Sequence, residues 1–189
     1  MQNRADRPNL ISRRLILRRP QKEDAEAIQR LANDWEVAKR LARLPHPYTL
    51  ENALFFLDEI APKELVWIAQ HSETGELVGI AGLKPHEDAG IMELGYWLGR
   101  QFWGRGFGTE AANVVLDYAF GAPSTSGITA GCFTDNLRSE RLLKKLGFHI
   151  AKESLRFCLA EGRELPHYDM LLTRKVRESR KLRPKSSKQ

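Results

Sequence analysis

Three glycines, Gly104, Gly106 and Gly108, fall within five residues of the stretch QFWGRGFGTEAA at 101–112. The strand-like run IMELGYWLG precedes them and the helix-like run EAANVVLDYAFG follows. Glycine costs roughly 0.5–1 kcal/mol in the interior of a helix or strand, so three together need a cause. Two causes fit: a helix packed tightly on a sheet, or an anion drawn against the backbone. A strand, a glycine loop and a helix start together favour the anion. First-turn amides lack intrahelical partners, and the helix dipole places partial positive charge there. The expected ligand is a phosphate or pyrophosphate. A Walker A loop is excluded, because GRQFWGRG puts Arg105 and Gly106 where Lys and Ser/Thr belong. A dinucleotide fingerprint is disfavoured, because GRGFGT puts Thr109 in the place of the third glycine.

The other residues with chemical potential are scattered. Glu93 stands between Met92 and Leu94 in the strand before the loop, where a carboxylate needs an explanation. His46, His71, His86, His149 and His167 show no metal-ligand spacing. Two of them, in LPHPYT and ELPHYD, are expected in solvated loops. Cys132 and Cys158 are too few for a disulfide framework or a zinc site and read as small buried hydrophobes. Tyr96 and Tyr168 read as strand packing, and the tryptophans as mainly core.

The elements that must position these residues are legible as periodicity. RRLILRRP alternates like a strand, and KEDAEAIQRLANDW carries Ile28, Leu31, Ala32 and Trp35 at helical spacing. Thr49 is placed to cap a second helix over 50–60. LVWIAQ, LVGIAGL and IMELGYWL read as three strands joined by hairpin signals. After the loop helix, GITAGCF predicts a strand. DNLRSERLLKKLGF predicts a capped helix with Gly147 closing it and Phe148 folding back. Two strands are expected around 149–159 and 168–173. The order predicts an α/β (α+β mixed) sheet with helices on both faces, in one domain over 1–173.

Charge is segregated. The chain of 189 residues has a formal net charge of +6, but the segment 174–189 holds eight Lys/Arg and one Glu. The body is therefore near neutral, at −1. The segment is read as a basic tail, a helix end fraying into disorder, with a loose attraction to RNA or the ribosome as its functional possibility. The start has no apolar h-region and no run approaches membrane-spanning length, so a cytoplasmic protein without membrane contact is expected.

The motif QFWGRGFGTEA resembles motif A of the GNAT acetyltransferases, with Gln101, Gly104 and Gly106 at its defined positions. Thr109 and Glu110 match the continuation in the RimJ/RimL branch, which acts on ribosomal-protein N-termini. RRLILRR, GELVGIAGL, ELGYWLG and DNLRSERLLKKLGF are similar to segments of that branch in the same order, so the likeness spans about 12–174. The resemblance implies a GNAT-like fold, a mostly antiparallel twisted sheet of about seven strands. It implies acetyl-CoA as co-substrate, with no metal. Gln101 and the residues Gly104, Arg105, Gly106, Phe107, Gly108 and Thr109 would hold the pyrophosphate. Free backbone groups of Trp97 and Leu98 would pair with the pantetheine, and Asn136, otherwise a plain N-cap, would meet its arm. Trp103 would lie beside coenzyme A. Glu93 would be the base and Ser139 the acid that protonates the leaving thiolate. Leu143 stands where many GNATs carry a tyrosine acid, so that route is closed.

At pH 7 a lysine ammonium costs about 4.6 kcal/mol to deprotonate, an α-ammonium only about 1–1.4. One carboxylate suits the easier task, so a peptide N-terminus is the expected acceptor. A small amine such as an antibiotic or polyamine, or a non-catalytic acyl-CoA- or RNA-binding module, are the alternatives. Monomer and homodimer both stay open.

Overall fold

The structure, a computed structural model, describes residues 7–182. Eight strands form one sheet: β1 (Leu10–Ile11), β2 (Leu15–Arg18), β3 (Leu65–His71), β4 (Leu77–Pro85), β5 (Ile91–Leu98), β6 (Gly127–Phe133), β7 (His149–Cys158) and β8 (Arg163–Thr173). Their order is β1-β2-β3-β4-β5-β6-β8-β7. The expected seven strands become eight because Leu10 and Ile11 fold back on Leu17 and Ile16, a two-residue pairing too short to announce itself by alternation. Every pairing is antiparallel except β5 with β6.

The helices are α1 (Ala25–Ala32), α2 (Trp35–Ala38), α3 (Leu50–Phe55, prolonged by a π turn over Phe56–Ile60), α4 (Phe107–Gly121), α5 (Leu137–Leu146) and α6 (Arg174–Leu182). Their ends are set by local chemistry. The Thr49 hydroxyl accepts from the Asn52 amide while Asn52 accepts from the Thr49 amide, a reciprocal cap on α3. Gly147, at φ +105°, ends α5, and the Phe148 amide returns to the Leu143 carbonyl.

Side-chain alternation sorts the sheet into two faces. Trp67, Ala81, Leu94, Tyr96, Ala130, Cys132, Met170 and Leu172 form one, covered by α4 and α5. There Trp67 meets Tyr118 of α4 edge-on, with ring centroids 5.2 Å apart. The opposite face carries Val66, Ile68 and Ile80 under Ile28 and Leu31 of α1. Among the described residues no helix is long and apolar enough to cross a membrane.

The segment 174–189 begins with the helix end read from its sequence, but that helix is docked on the body rather than solvated. Its first nine residues are α6, and its cations are used inside the chain. Arg174 donates to the carbonyls of Phe120 (2.9 Å), Ala122 (2.6 Å) and Thr125 (2.9 Å), satisfying the open end of α4. Arg180 does the same at Lys145, the end of α5. Arg177, buried, reaches Asn113 and Asp117, and Lys181 pairs with Asp117 at 2.6 Å. A basic run reads as a solvated face in sequence; here two helix C-termini lie within its reach. The rest of the segment lies outside the described residues.

Candidate functional site

The parallel rungs of β5 and β6 number three, Ile91, Met92 and Glu93 against Gly127, Ile128 and Thr129. Beyond them the strands part. Leu94–Leu98 remains paired only with β4, and Ala130–Phe133 only with β8. The gap opens a cleft of about 1320 Å³. It passes through the sheet, because residues of both faces line it. Tyr96, Leu98, Cys132, Asn136 and Ser139 come from the α4–α5 side. Glu93, Gly95, Thr129, Gly131, His167 and Asp169 come from the other.

The glycine loop stands at one lip. Gly104 (φ +75°) and Gly106 (φ +82°) occupy the left-handed region, which turns the chain so that α4 begins with its amides facing the gap. The first intrahelical bond of α4 runs from Glu110 N to Gly106 O, so the amides of Phe107, Gly108 and Thr109 precede it and have no intrahelical acceptor. Glu110 would oppose an anion here, but its carboxylate is turned onto the β1–β2 corner. It accepts from Ser12 Oγ (2.8 Å), Arg14 N (2.6 Å), Arg14 Nε (2.9 Å) and a second guanidinium nitrogen of Arg14 (2.8 Å). Partial burial would raise its carboxyl, yet these bonds outweigh burial and hold it below the usual range.

Gly108 has a different reason from its two neighbours. A Cβ there would lie 2.9 Å from Leu142 Cδ1 and 3.4 Å from Leu98 Cδ1, so this glycine packs α4 against α5 and β5. The packing cause weighed for the glycine cluster therefore operates at Gly108, while Gly104 and Gly106 serve the turn. The Phe107 side chain is core, leaving its backbone for the cleft. Arg14 and Arg105 stack on its ring at 4.4 and 5.0 Å.

Of the residues singled out from sequence, Glu93, Trp97, Leu98, Gly104, Gly106, Phe107, Gly108, Thr109, Asn136 and Ser139 line this one cleft. Gln101 and Arg105 do not: Gln101 sits exposed on the 3-10 turn Arg100–Phe102, and Arg105 on Phe107. The Leu98 carbonyl is already engaged by the Trp103 indole at 2.9 Å, which fixes the loop to the strand end. Trp103 in turn lies between the Arg40 and Arg138 guanidiniums, 5.7 and 5.2 Å from its ring. Asn136 is a true N-cap, accepting from Ser139 N at 3.2 Å, and it also lines the cleft.

Ser139 Oγ lies 2.8 Å from the Tyr96 hydroxyl. Tyr96 is thus more than strand packing. Burial pushes its phenol well above the ordinary value, so the group stays protonated. Cys132 sits on the same face; burial raises its thiol to about 11, a neutral group and a poor nucleophile at neutral pH. Across the gap, Glu93 is paired with Lys84 at 3.0 Å and remains partly exposed.

His167, expected in a solvated loop, is instead a buried member of β8. Its Nδ1 lies 3.0 Å from Oδ1 of Asp169, and burial depresses the imidazole below its usual value. The available signal was the spacing His-x-Asp in a strand, which puts both on one face.

A family profile described as acetyltransferase (GNAT) domain matches residues 14–149. The uncharacterized N-acetyltransferase YoaA of Bacillus subtilis (strain 168) is 35% identical over 150 residues, 75% of this chain and 82% of that protein. The chain belongs to the GNAT acetyltransferase family. The uncharacterized protein YkkB of the same organism is 37% identical over 89 residues, 46% of this chain; the match spans about half of that protein, 52%. The crystal structure of ribosomal-protein-S5-alanine acetyltransferase from Vibrio fischeri shares the fold with a TM-score of 0.74 at 19% identity, covering 88% of this chain and 96% of that one. Of the segments whose likeness was read from the sequence, 91–98, 104–109 and 136–145 contribute residues to the lining of this cleft.

Proposed function

We propose that this GNAT protein transfers the acetyl group of acetyl-CoA to a primary amine, with both substrates bound at once. The observation that carries this is the continuous opening from the α4 amides, between β5 and β6, to the far face of the sheet. The pyrophosphate sits on the amides of Phe107 to Thr109, and the arm runs along Trp97 beside Asn136. The thioester then reaches the seam where Ser139 and Glu93 approach from opposite faces. A neutral Cys132 supports direct attack over an acetyl-enzyme route.

The neutral amine attacks the thioester carbonyl; a C–N bond forms and the C–S bond breaks. Ser139 gives its proton to the leaving thiolate and is resupplied by Tyr96. The proton shed by the new amide nitrogen restores the pair, so the relay ends as it began. Glu93, neutralised in part by Lys84, acts by drawing the incoming ammonium to the seam.

The acceptor we favour is a protein or peptide N-terminus of the RimJ/RimL kind. An α-ammonium needs the smaller deprotonation, and the Vibrio fischeri neighbour is named for such a substrate. The test is thiol release from acetyl-CoA with alanyl- and seryl-terminated peptides, set against spermidine and an aminoglycoside. Peptide turnover is expected. Turnover of the small amines alone would replace the acceptor and keep the chemistry; acetyl-CoA binding without turnover of any amine would remove the catalytic reading.

A further inference from the structure

Glu93 leaves a difficulty. Its carboxylate is already engaged by Lys84 at 3.0 Å, and the transfer needs an amine that has lost its proton. The geometry points to His167 as the general base, with Asp169 as its positioning residue; this rests on the transfer reading above.

Four observations place it. His167 is buried in the wall of the cleft, on the face that carries Glu93. The sheet makes room for its ring at one position: a Cβ on Gly131 would stand 2.2 Å from His167 Cε1 and 2.7 Å from Nε2. Gly131 belongs to the free part of β6, so the imidazole lies over one lip of the gap. Asp169, two residues on and directly opposite Gly131, holds Oδ1 at 3.0 Å from Nδ1, and Arg156 of β7 anchors that same oxygen at 3.2 Å. The Nδ1 contact falls short of hydrogen-bond geometry as it stands, and among the described residues the buried Nδ1 has no hydrogen-bond partner. An Nδ1–H turned toward Asp169 leaves Nε2 as the lone-pair nitrogen over the seam.

The charged groups facing the ring are Asp169 on its own strand, Glu93 on β5, and Arg156 on β7; the carboxylates favour the imidazolium, Arg156 and burial oppose it. Burial prevails, so the ring is neutral at pH 7. In the step, the acceptor ammonium passes one proton to Nε2 and becomes the attacking amine. The imidazolium then releases that proton to water, the net proton the reaction sheds.

Two readouts test this. In the native protein, imidazole 15N shifts should show a neutral His167 at pH 7 with its proton on Nδ1. For kinetics, His167→Gln and Gly131→Ala are compared with native protein, using the alanyl peptide as acceptor. Both variants should keep the acetyl-CoA-induced rise in melting temperature and lose roughly 100-fold or more in kcat. The native kcat should fall on the acid side as His167 protonates, a limb that His167→Gln lacks and Asp169→Asn moves. A proton on Nε2, or an acid limb and kcat unchanged in His167→Gln, would overturn the assignment while transfer stands. A native protein that binds acetyl-CoA yet acetylates nothing would remove the transfer reading and the base with it.

Discussion

Gly106→Asp separates the fold from the anion cradle. At φ +82° an L-residue is strained by roughly 1–2 kcal/mol. The new Cβ itself meets nothing closer than an Arg14 guanidinium nitrogen at 3.4 Å, so steric cost adds little. For a domain of this size about 2–4 °C of melting temperature go with each kcal/mol, so the variant should melt roughly 2–8 °C lower and still fold. Acetyl-CoA at about 100 times its Kd should stabilise the native protein by about 2.7 kcal/mol, roughly 5–11 °C. In the variant a carboxylate stands beside the amides of Phe107 to Thr109, where the pyrophosphate belongs, and that rise should vanish. Gly106→Ala controls for strain, with the same loss of stability and only partial loss of the ligand shift. Scanning fluorimetry on the three proteins reads all of this. A full ligand shift in a folded Gly106→Asp would refute the reasoning, because the phosphates would then lie elsewhere.

Glu110→Gln should destabilise the protein by about 1 kcal/mol at pH 7, after allowing for the partial exposure of Arg14. The folded carboxyl lies below its unfolded value, so its contribution is complete above about pH 4.3 and fades as pH falls through the depressed value; native and variant denaturation midpoints should converge there. Cys132→Ala should leave kcat within about twofold, and mass spectrometry of native protein with acetyl-CoA should show no acylated thiol; an acetyl-Cys132 species would force a two-step mechanism. Arg174→Ala removes three bonds to the end of α4 and should cost roughly 1–3 kcal/mol in chemical denaturation while leaving the acetyl-CoA shift intact.

The sequence carried most of what is local. Caps at Thr49, Asn136 and Gly147, and the turn glycines Gly104 and Gly106, encode their geometry within a few residues. What it hid depends on partners far along the chain. Glu93 and Lys84 face each other across a hairpin, and the charge of neither announces the pair. Tyr96 and Ser139 meet only when α5 docks. His167 was misplaced because Pro166 argues against an interior strand. The structure resolves this: Pro166 accepts at its carbonyl from Thr134 N, on the β6 side, where β6 has just ended at Phe133. The proline therefore stands at the margin of the β6–β8 ladder, just outside its last rung, His167 with Phe133. Arg174, Arg177 and Arg180 looked like a solvated run because sequence does not reveal which carbonyls a helix will meet.

The cleft is lined from both faces of the sheet, which offers a way in from each side. On the proposed reading, the nucleotide part of the donor fills the entrance beside α4, and the amine arrives at the other, past Lys84 and Asp169. Neither substrate stands in the other's path, and each product leaves by the side it came from. An acceptor far larger than the cleft, even a folded protein offering only its first residue, need not wait for the spent thiol to depart. The same arrangement frees the acceptor doorway to change shape, and so clientele, while the donor doorway stays as it is.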